Sequence, residues 1–289
     1  MKNYKYNYIF YILPSLLLFS MFVIFPFIKT IIQSLCISDT LGNITAFVKL
    51  DNYKDLFNNK VYIGSLFTTL KYVLLSVPLT ITISLFLAVL SNYNLKGIGF
   101  FRTIFTSTMG ISVASGSVFY NFLFHNTAGL LNRVVKLFGF NNVGWLTDPK
   151  IAMYSIIIVT VWMNIGFSYL ILMGGLKNID NSYYESADIA GYGFFKRLFK
   201  ITIPLLSPSL FFVFITAIIS AFQSFGVIDM LTQGGPINST NLLVYSLYKE
   251  AFVNFQYGLA SSQGIILFII IFIISTIQMK LTERWVTYQ

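Results

Sequence analysis

Six stretches of this chain contain no Asp, Glu, Lys or Arg: Tyr6–Ile28, Tyr72–Leu95, Thr103–Asn132, Ile151–Leu176, Ile201–Ile228 and Ala251–Met279. A helix that crosses a bilayer needs about 20 mostly apolar residues, and each stretch is long enough. Over such a length in lipid only a helix satisfies its own backbone hydrogen bonds. The alternating strands of about ten residues that build a membrane barrel are absent. The pattern predicts an all-α membrane protein with six transmembrane helices, near 8–32, 66–91, 103–124, 151–175, 205–228 and 258–280. Charge content agrees: 10% of the residues are charged, where a soluble domain carries roughly 25%. With no internal repeat or low-complexity linker, residues 1–289 read as a single transmembrane domain.

Orientation follows from where the cations fall, because Lys and Arg concentrate in short cytoplasmic loops. With the N-terminus inside, the cytoplasmic connections hold Lys2, Lys5, Lys96, Arg102, Lys177, Lys196, Arg197, Lys200, Lys280 and Arg284 against four acids, Asp180, Glu185, Asp188 and Glu283. The outer connections hold seven cations against six acids. Lys29 and Lys71 fall at outer helix ends, where they can snorkel. Both termini are therefore expected in the cytoplasm of a bacterial plasma membrane. The net charge of +9 then faces anionic lipid and protein partners, not nucleic acid. The first apolar run is too long for the core of a cleavable signal and has no small-residue cleavage site before Lys29, so it reads as a retained helix. A lone Cys36 excludes an internal disulfide.

The outer connections carry some order of their own. Segment 33–61, with Asp51-Asn52-Tyr53, is expected to lie on the membrane surface. In 125–150, turn residues at Asn126–Gly129 and Thr147–Pro149 flank a helical periodicity over Leu130–Phe138. Thr232-Gln233-Gly234-Gly235-Pro236 is a turn.

The cytoplasmic segment 177–204 is unlike the rest. Ser182 followed by Glu185 has capping-box spacing and predicts a helix start. Gly191 supplies a left-handed end. Phe194 then opens a second helix with Phe195, Leu198 and Phe199 on one face and Lys196, Arg197 and Lys200 on the other. Pro204 and Pro208 redirect the chain into the fifth span. Short side chains at Ser186, Ala187 and Ala190 keep the first helix slim enough for another backbone to approach. The alternative is an ordinary interfacial loop in which Glu185 only caps a helix.

Glu185-Ser186-Ala187, Gly191, Ile201 and Ile203-Pro204-Leu205-Leu206 resemble the EAA–Gly–Ile–Leu–Pro signature of permease subunits of binding-protein-dependent ABC importers. Glu185, Ala187 and Gly191 fall on motif positions; Ser186 replaces the usual Ala, and Ile203 the usual Leu before Pro204. Leu13-Pro14-Ser15, Trp145-Leu146-Thr147-Asp148-Pro149 and Leu231–Pro236 followed by Asn238-Ser239-Thr240 are similar to the carbohydrate branch (maltose and glycerol-phosphate type), and the last to its first permease. The resemblance implies a type I, MetI-like permease fold. It also implies a second similar permease, a cytoplasmic ATPase dimer that binds the ATP and Mg, an extracytoplasmic solute-binding protein and a sugar-like solute. In such a protein the short helix docks in a cleft of the ATPase, and Glu185, Ser186, Ala187, Ala190, Gly191 and Pro204 carry that coupling.

No G-x-x-x-x-G-K-[ST] is present to cradle ATP phosphates in this chain. One Cys and one His, His125, make neither a metal set nor a catalytic constellation, so no cofactor or enzymatic activity is expected here. A secondary transporter would keep ionisable groups in its spans, and the six cores hold none. A channel would need a filter-like constriction. An ATP-independent secondary transporter or channel subunit for a small polar solute remains the alternative, distinguished by uptake in vesicles without ATP. Uncharged polar and aromatic residues at membrane depth are candidates for the solute path: Asn121, Asn164, Ser168, Tyr169, Gln223, Ser224, Ser261 and Gln263. The competing role is helix-to-helix packing.

The charge placement makes a topological prediction. Cysteines at Asn94 and Gly193 should resist impermeant thiol reagents in intact cells, and one at Asn238 should react. Labelling at position 193 from outside would overturn the orientation.

Overall fold

A computed structural model describes residues 7–93 and 96–282. Lys2, Lys5, Asn94, Glu283 and Arg284, used above for orientation, lie outside these residues. Among the described residues, four helices are long and apolar enough to cross a membrane: Tyr11–Ser34, Lys60–Ser91, Ala152–Lys177 and Tyr257–Lys280. They are the expected first, second, fourth and sixth spans. Phe194–Leu205 and Ser207–Phe222 pass the same test together but meet at 73°. Pro204 and Pro208 sit in the first turns on either side of that bend, where their missing N–H groups do no harm.

Two expected spans are not continuous. In place of one helix over 103–124 the chain forms Ile98–Ser107, a single 3₁₀ turn Thr108–Gly110, and Val113–Leu123. In place of 205–228, the helix stops at Phe222 and resumes as Gly226–Leu231. Local chemistry accounts for the first break. Ser107 Oγ turns back to donate to the Ile104 carbonyl at 2.7 Å, a bond that competes with regular helix. Ser112 then starts a new helix as its N-cap, accepting the Ser115 N–H at 3.2 Å. The second span also starts earlier than expected. Asn59 Oδ1 accepts the Val61 N–H at 2.9 Å, so the helix runs 32 residues from Lys60, about 48 Å. Lys71 is thereby three turns inside the helix rather than at its end, and its ammonium lies 5.2 Å from the centre of the Tyr154 ring.

The chain divides into two compact units, 1–63 with 246–269 and 64–245 with 270–289. The first contains, among the described residues, the one departure from all-α structure, an antiparallel ribbon of Cys36–Ser38 and Ile44–Phe47. Asp39 makes its turn, accepting the Asn43 and Leu41 N–H groups at 2.8 and 3.0 Å. The Asn43 backbone N–H, foremost, holds the Asp39 carboxyl below its ordinary pKa. Asn52, expected at the membrane surface, is buried. Its Nδ2 donates to the Ser34 and Cys36 carbonyls at 2.9 and 3.0 Å, and Ser262 Oγ donates to the same Ser34 carbonyl at 3.0 Å. A Cβ on Gly258 would collide with the Cys36 carbonyl, so only glycine lets these backbones meet.

The second unit is built around the Ala152–Lys177 helix. Tyr169, Leu172, Met173 and Leu176 on this helix are buried with Ala88, Ile179, Leu206 and Val213. Its glycines admit close neighbours: Gly166 N–H donates to Thr108 Oγ1 at 3.1 Å, and a Cβ on Gly175 would strike Ser209. A Cβ on Gly166 would lie 2.9 Å from the Met109 backbone nitrogen and 3.1 Å from the Phe105 carbonyl. Because those neighbours are backbone, Gly166→Ala should destabilise the protein by about 1–3 kcal/mol. An unchanged thermal midpoint in detergent would show that the Thr108–Gly110 turn does not press on this helix.

Candidate functional site

The two broken spans break against the same hollow. A cleft of about 370 Å³ is lined by Thr108, Met109, Ile111 and Val113 from the first break and by Gln223, Ser224, Phe225 and Gly226 from the second. Thr160, Met163, Asn164 and Phe167 of the unbroken Ala152–Lys177 helix complete it with Ser220 and Val227. Non-helical backbone at membrane depth is tolerated where it lines a cavity and not where it meets lipid. The breaks and the cleft therefore explain each other. No lining residue is charged. Hydroxyls and amides alternate with thioether and aromatic surface, a lining able to hydrogen-bond hydroxyl groups and to cover an apolar face.

Beneath the cleft lies a fully buried tyrosine. The Tyr72 hydroxyl hydrogen-bonds to Thr160 Oγ1 and Ser224 Oγ, each at 2.9 Å, so it joins the second span to both the unbroken helix and the second break. Asn164 Nδ2 donates to the Thr160 carbonyl at 2.8 Å, which leaves its carbonyl oxygen for the cleft.

Of the residues singled out in the sequence, Asn164, Gln223 and Ser224 come together here. Ser168 and Tyr169 do not: both are buried, and Tyr169 packs in the core with its ring 5.6 Å from that of Phe105. Asn121 is exposed on the Val113–Leu123 helix and does not line the cleft. Ser261 and Gln263 belong to the first unit, where Gln263 is buried. Tyr72, Thr108, Thr160 and Ser220 were missed. Thr160 stands four residues before Asn164, and Ser220 three before Gln223. That spacing puts each pair on one helix face, so the signal was present.

At the other end of the Ala152–Lys177 helix, Asn181–Ile189 forms the expected short helix. Its cap differs from expectation. Asp180, not the Ser182/Glu185 box, accepts the Ser182 N–H at 2.8 Å, because the helix begins one residue before Ser182 and Asp180 holds the extended cap position. That N–H lowers the Asp180 pKa. A lowered carboxylate pKa means the cap contributes above the ordinary carboxyl range and is lost as pH falls through the lowered value. The C-terminus is as read: Gly191 has φ +70°, Tyr192 N–H donates to the Ala187 carbonyl at 2.9 Å and Gly191 N–H to that of Asp188 at 3.1 Å. These are the paired bonds of a Schellman end.

Glu185, Ser186 and Ala190 are exposed. Ala187 is not on that outer face; it is 3% exposed and turned inward. The second arm runs Phe194–Arg197, a π turn Leu198–Thr202, and Ile203–Leu205. It is braced to the first by Arg197 Nη1 to Asp188 Oδ1 at 2.8 Å and by the Tyr184 and Thr202 hydroxyls at 3.3 Å. Lys196 Nζ sits 3.9 Å from the centre of the Tyr192 ring.

Two spans interrupted around a shared uncharged cleft are the arrangement expected where a solute crosses, not that of a packed bundle. This is a membrane transport component. The chain belongs to the family described as binding-protein-dependent transport system inner membrane component, whose model matches residues 40–288. It is 32% identical over 281 residues to the sn-glycerol-3-phosphate transport system permease protein UgpA of Pectobacterium atrosepticum, covering 96% of this chain and 94% of that protein. It is 31% identical to UgpA of Yersinia pestis over the same length. A bacterial ABC transporter for import of the acidic polysaccharide alginate superposes with a TM-score of 0.83 at 20% identity, over 97% of this chain and 96% of that one. The fold is that of the ABC importer permeases.

Tyr72→Phe tests the cleft's support. It removes the hydroxyl that bridges Thr160 and Ser224 and should cost about 0.5–1.5 kcal/mol, read as a lower unfolding midpoint. An unchanged midpoint would show that Tyr72 does not hold the two sides.

Proposed function

We propose that this chain is the permease subunit of an ATP-driven importer for a neutral sugar or sugar-like solute, with its 181–205 arm docked on a separate ATPase. A second, similar permease supplies the other half of the path, and an extracytoplasmic binding protein delivers the solute. The ATP and Mg belong to the ATPase dimer. Both termini and the arm are cytoplasmic, as the Lys/Arg distribution favours.

The observation that carries this reading is the short helix ended by Gly191, with Glu185, Ser186, Ile189 and Ala190 presented outward. A Cβ on Gly191 would meet nothing within 4 Å in this chain, so the space beside it is open to a partner. Closure of the ATPases moves the arm as one piece, because Arg197–Asp188 and Tyr184–Thr202 tie its halves. Ile179 and Leu206, at the two roots of the arm, are both buried against the Ala152–Lys177 helix. That helix is 26 residues without a break, about 39 Å, and it carries Thr160 and Asn164 on the cleft. Movement of the arm therefore reaches the cleft through a rigid element. The uncharged lining favours a neutral hydroxylated solute over a phosphate or an acidic sugar, since a desolvated anion needs a counter-charge or several donors.

Gly191→Asp is the deciding variant. An L-residue at φ +70° costs roughly 1 kcal/mol or more, yet the spans are untouched, so membrane insertion should be normal. Co-purification of the ATPase and solute uptake should both be lost. Glu185→Ala should leave the helix intact, because Asp180 caps it, and weaken docking less. Wild-type uptake together with wild-type co-purification in Gly191→Asp would reduce the arm to a loop and remove the importer reading.

A further inference from the structure

The connection between Leu123 and Ala152 contains a helix, Leu130–Leu137, that does not line the cleft. Its inner face is fixed by one residue. Asn132, 1% exposed, donates from Nδ2 to the Asn126 and Val143 carbonyls at 2.9 and 3.0 Å. Its Oδ1 accepts the Val143 N–H at 3.0 Å and the Trp145 Nε1–H at 3.1 Å. Both donors and both acceptor positions of the amide are thereby used, and the rotation of the helix about its axis is set.

With that rotation set, the apolar side faces away from the protein. Leu130, Val134, Leu137 and Phe138, at spacings of four, seven and eight from the first, share one helix face. They are 60%, 42%, 85% and 75% exposed, and Phe140 just beyond is 70% exposed. Arg133 and Lys136 lie to one side of this face. No Asp or Glu occurs between Asn126 and Thr147. A contiguous apolar face of this kind is not left in water.

We propose that Leu130–Phe140 is an interfacial membrane anchor. It lies in the plane of the bilayer, its aliphatic and aromatic face in the acyl boundary and Arg133 and Lys136 among anionic phospholipid headgroups. Three observations choose lipid over a protein partner. An apolar face flanked by cations is the pattern of helices that lie in the interface. Chain continuity holds the segment at the membrane surface, since it leads directly into the Ala152–Lys177 span. The exposed face also carries no polar group to set register, whereas a protein interface mixes apolar contacts with about one hydrogen bond per 100–200 Å².

The anchor has a consequence for the span it adjoins. Trp145, clasped by Asn132, accepts the Ser155 Oγ–H on its carbonyl at 2.7 Å. The height of the Ala152–Lys177 helix in the membrane is thereby referred to the lipid headgroups.

The test uses the full chain with Cys36→Ser, reconstituted in phosphatidylcholine vesicles with and without phosphatidylglycerol. An environment-sensitive fluorophore is placed at Leu137→Cys and, separately, at Phe140→Cys in case one site perturbs folding. Spin-labelled lipid should quench the fluorophore at least about twofold more than aqueous iodide does. Phosphatidylglycerol should increase the lipid quenching, and Arg133→Gln with Lys136→Gln should abolish the increase. Stronger quenching by iodide would place the face in water and overturn the anchor. Protection from both quenchers would mean that protein covers the face, and would overturn it equally. Quenching by lipid that ignores phosphatidylglycerol would overturn the role given to the two cations.

Discussion

Everything in this molecule answers to one constraint: a peptide group in hydrocarbon finds no water to bond. Long helices meet it almost without help, and among the described residues four of the spans are of that kind. Two stretches depart from it, at Thr108–Ser112 and at Gln223–Phe225. Both can do so because they turn toward a polar hollow and because neighbouring groups take up the slack. Thr108 Oγ1 receives the Gly166 N–H, Ser112 caps the helix after it, and Ser224 is bonded to Tyr72. An uncharged polar cleft and a solution for interrupted backbone are thus one construction.

The same economy joins the cleft to the arm. In the proposed importer a solute path must open and close, whereas the element coupled to a partner must not yield. The chain separates these demands. Interrupted spans line the cleft, and the uninterrupted Ala152–Lys177 helix runs between it and the arm. The arm itself is stiffened by an ion pair, a hydroxyl pair and a cation over a ring. Gly166 admits a neighbouring backbone, Gly175 admits the Ser209 and Leu206 side chains, and Gly191 lets the chain turn left-handed.

Much of this was legible in the sequence, for reasons that can be located. Long uncharged runs reveal spans because lipid forbids alternatives, and Gly191 marked its own conformation. Where the sequence misled, the deciding interaction was either a close local competitor or remote. Asp180 took the cap that Ser182 and Glu185 had the spacing for. Small polar residues inside an apolar run, Thr106 to Thr108, are as acceptable in a continuous helix as in a broken one, and hydropathy does not distinguish them. Tyr169 and Asn164 look alike in sequence as candidates for a solute path, yet packing against Ala88 and Leu206 claims the one and leaves the other on the cleft. Ser34 and Cys36 receive Asn52 from nearby in the chain but also meet Ser262 and Gly258 from far along it, which no local pattern records.

That last dependence sets a timetable. The end of the first helix is secured at the Ser34 carbonyl by Asn52, which is made soon after it, and by Ser262, which is made 228 residues later. Gly258, where the Cys36 carbonyl needs an opening, arrives equally late. A ribosome delivering this protein therefore releases a first helix that must wait, half-fastened, through the synthesis of nearly the whole chain. The most apolar 18-residue window of the Tyr11–Ser34 helix has no buried residue, so bare lipid is a tolerable waiting room. The first span inserted is the one with the least need of company, and its final latch is closed by the last.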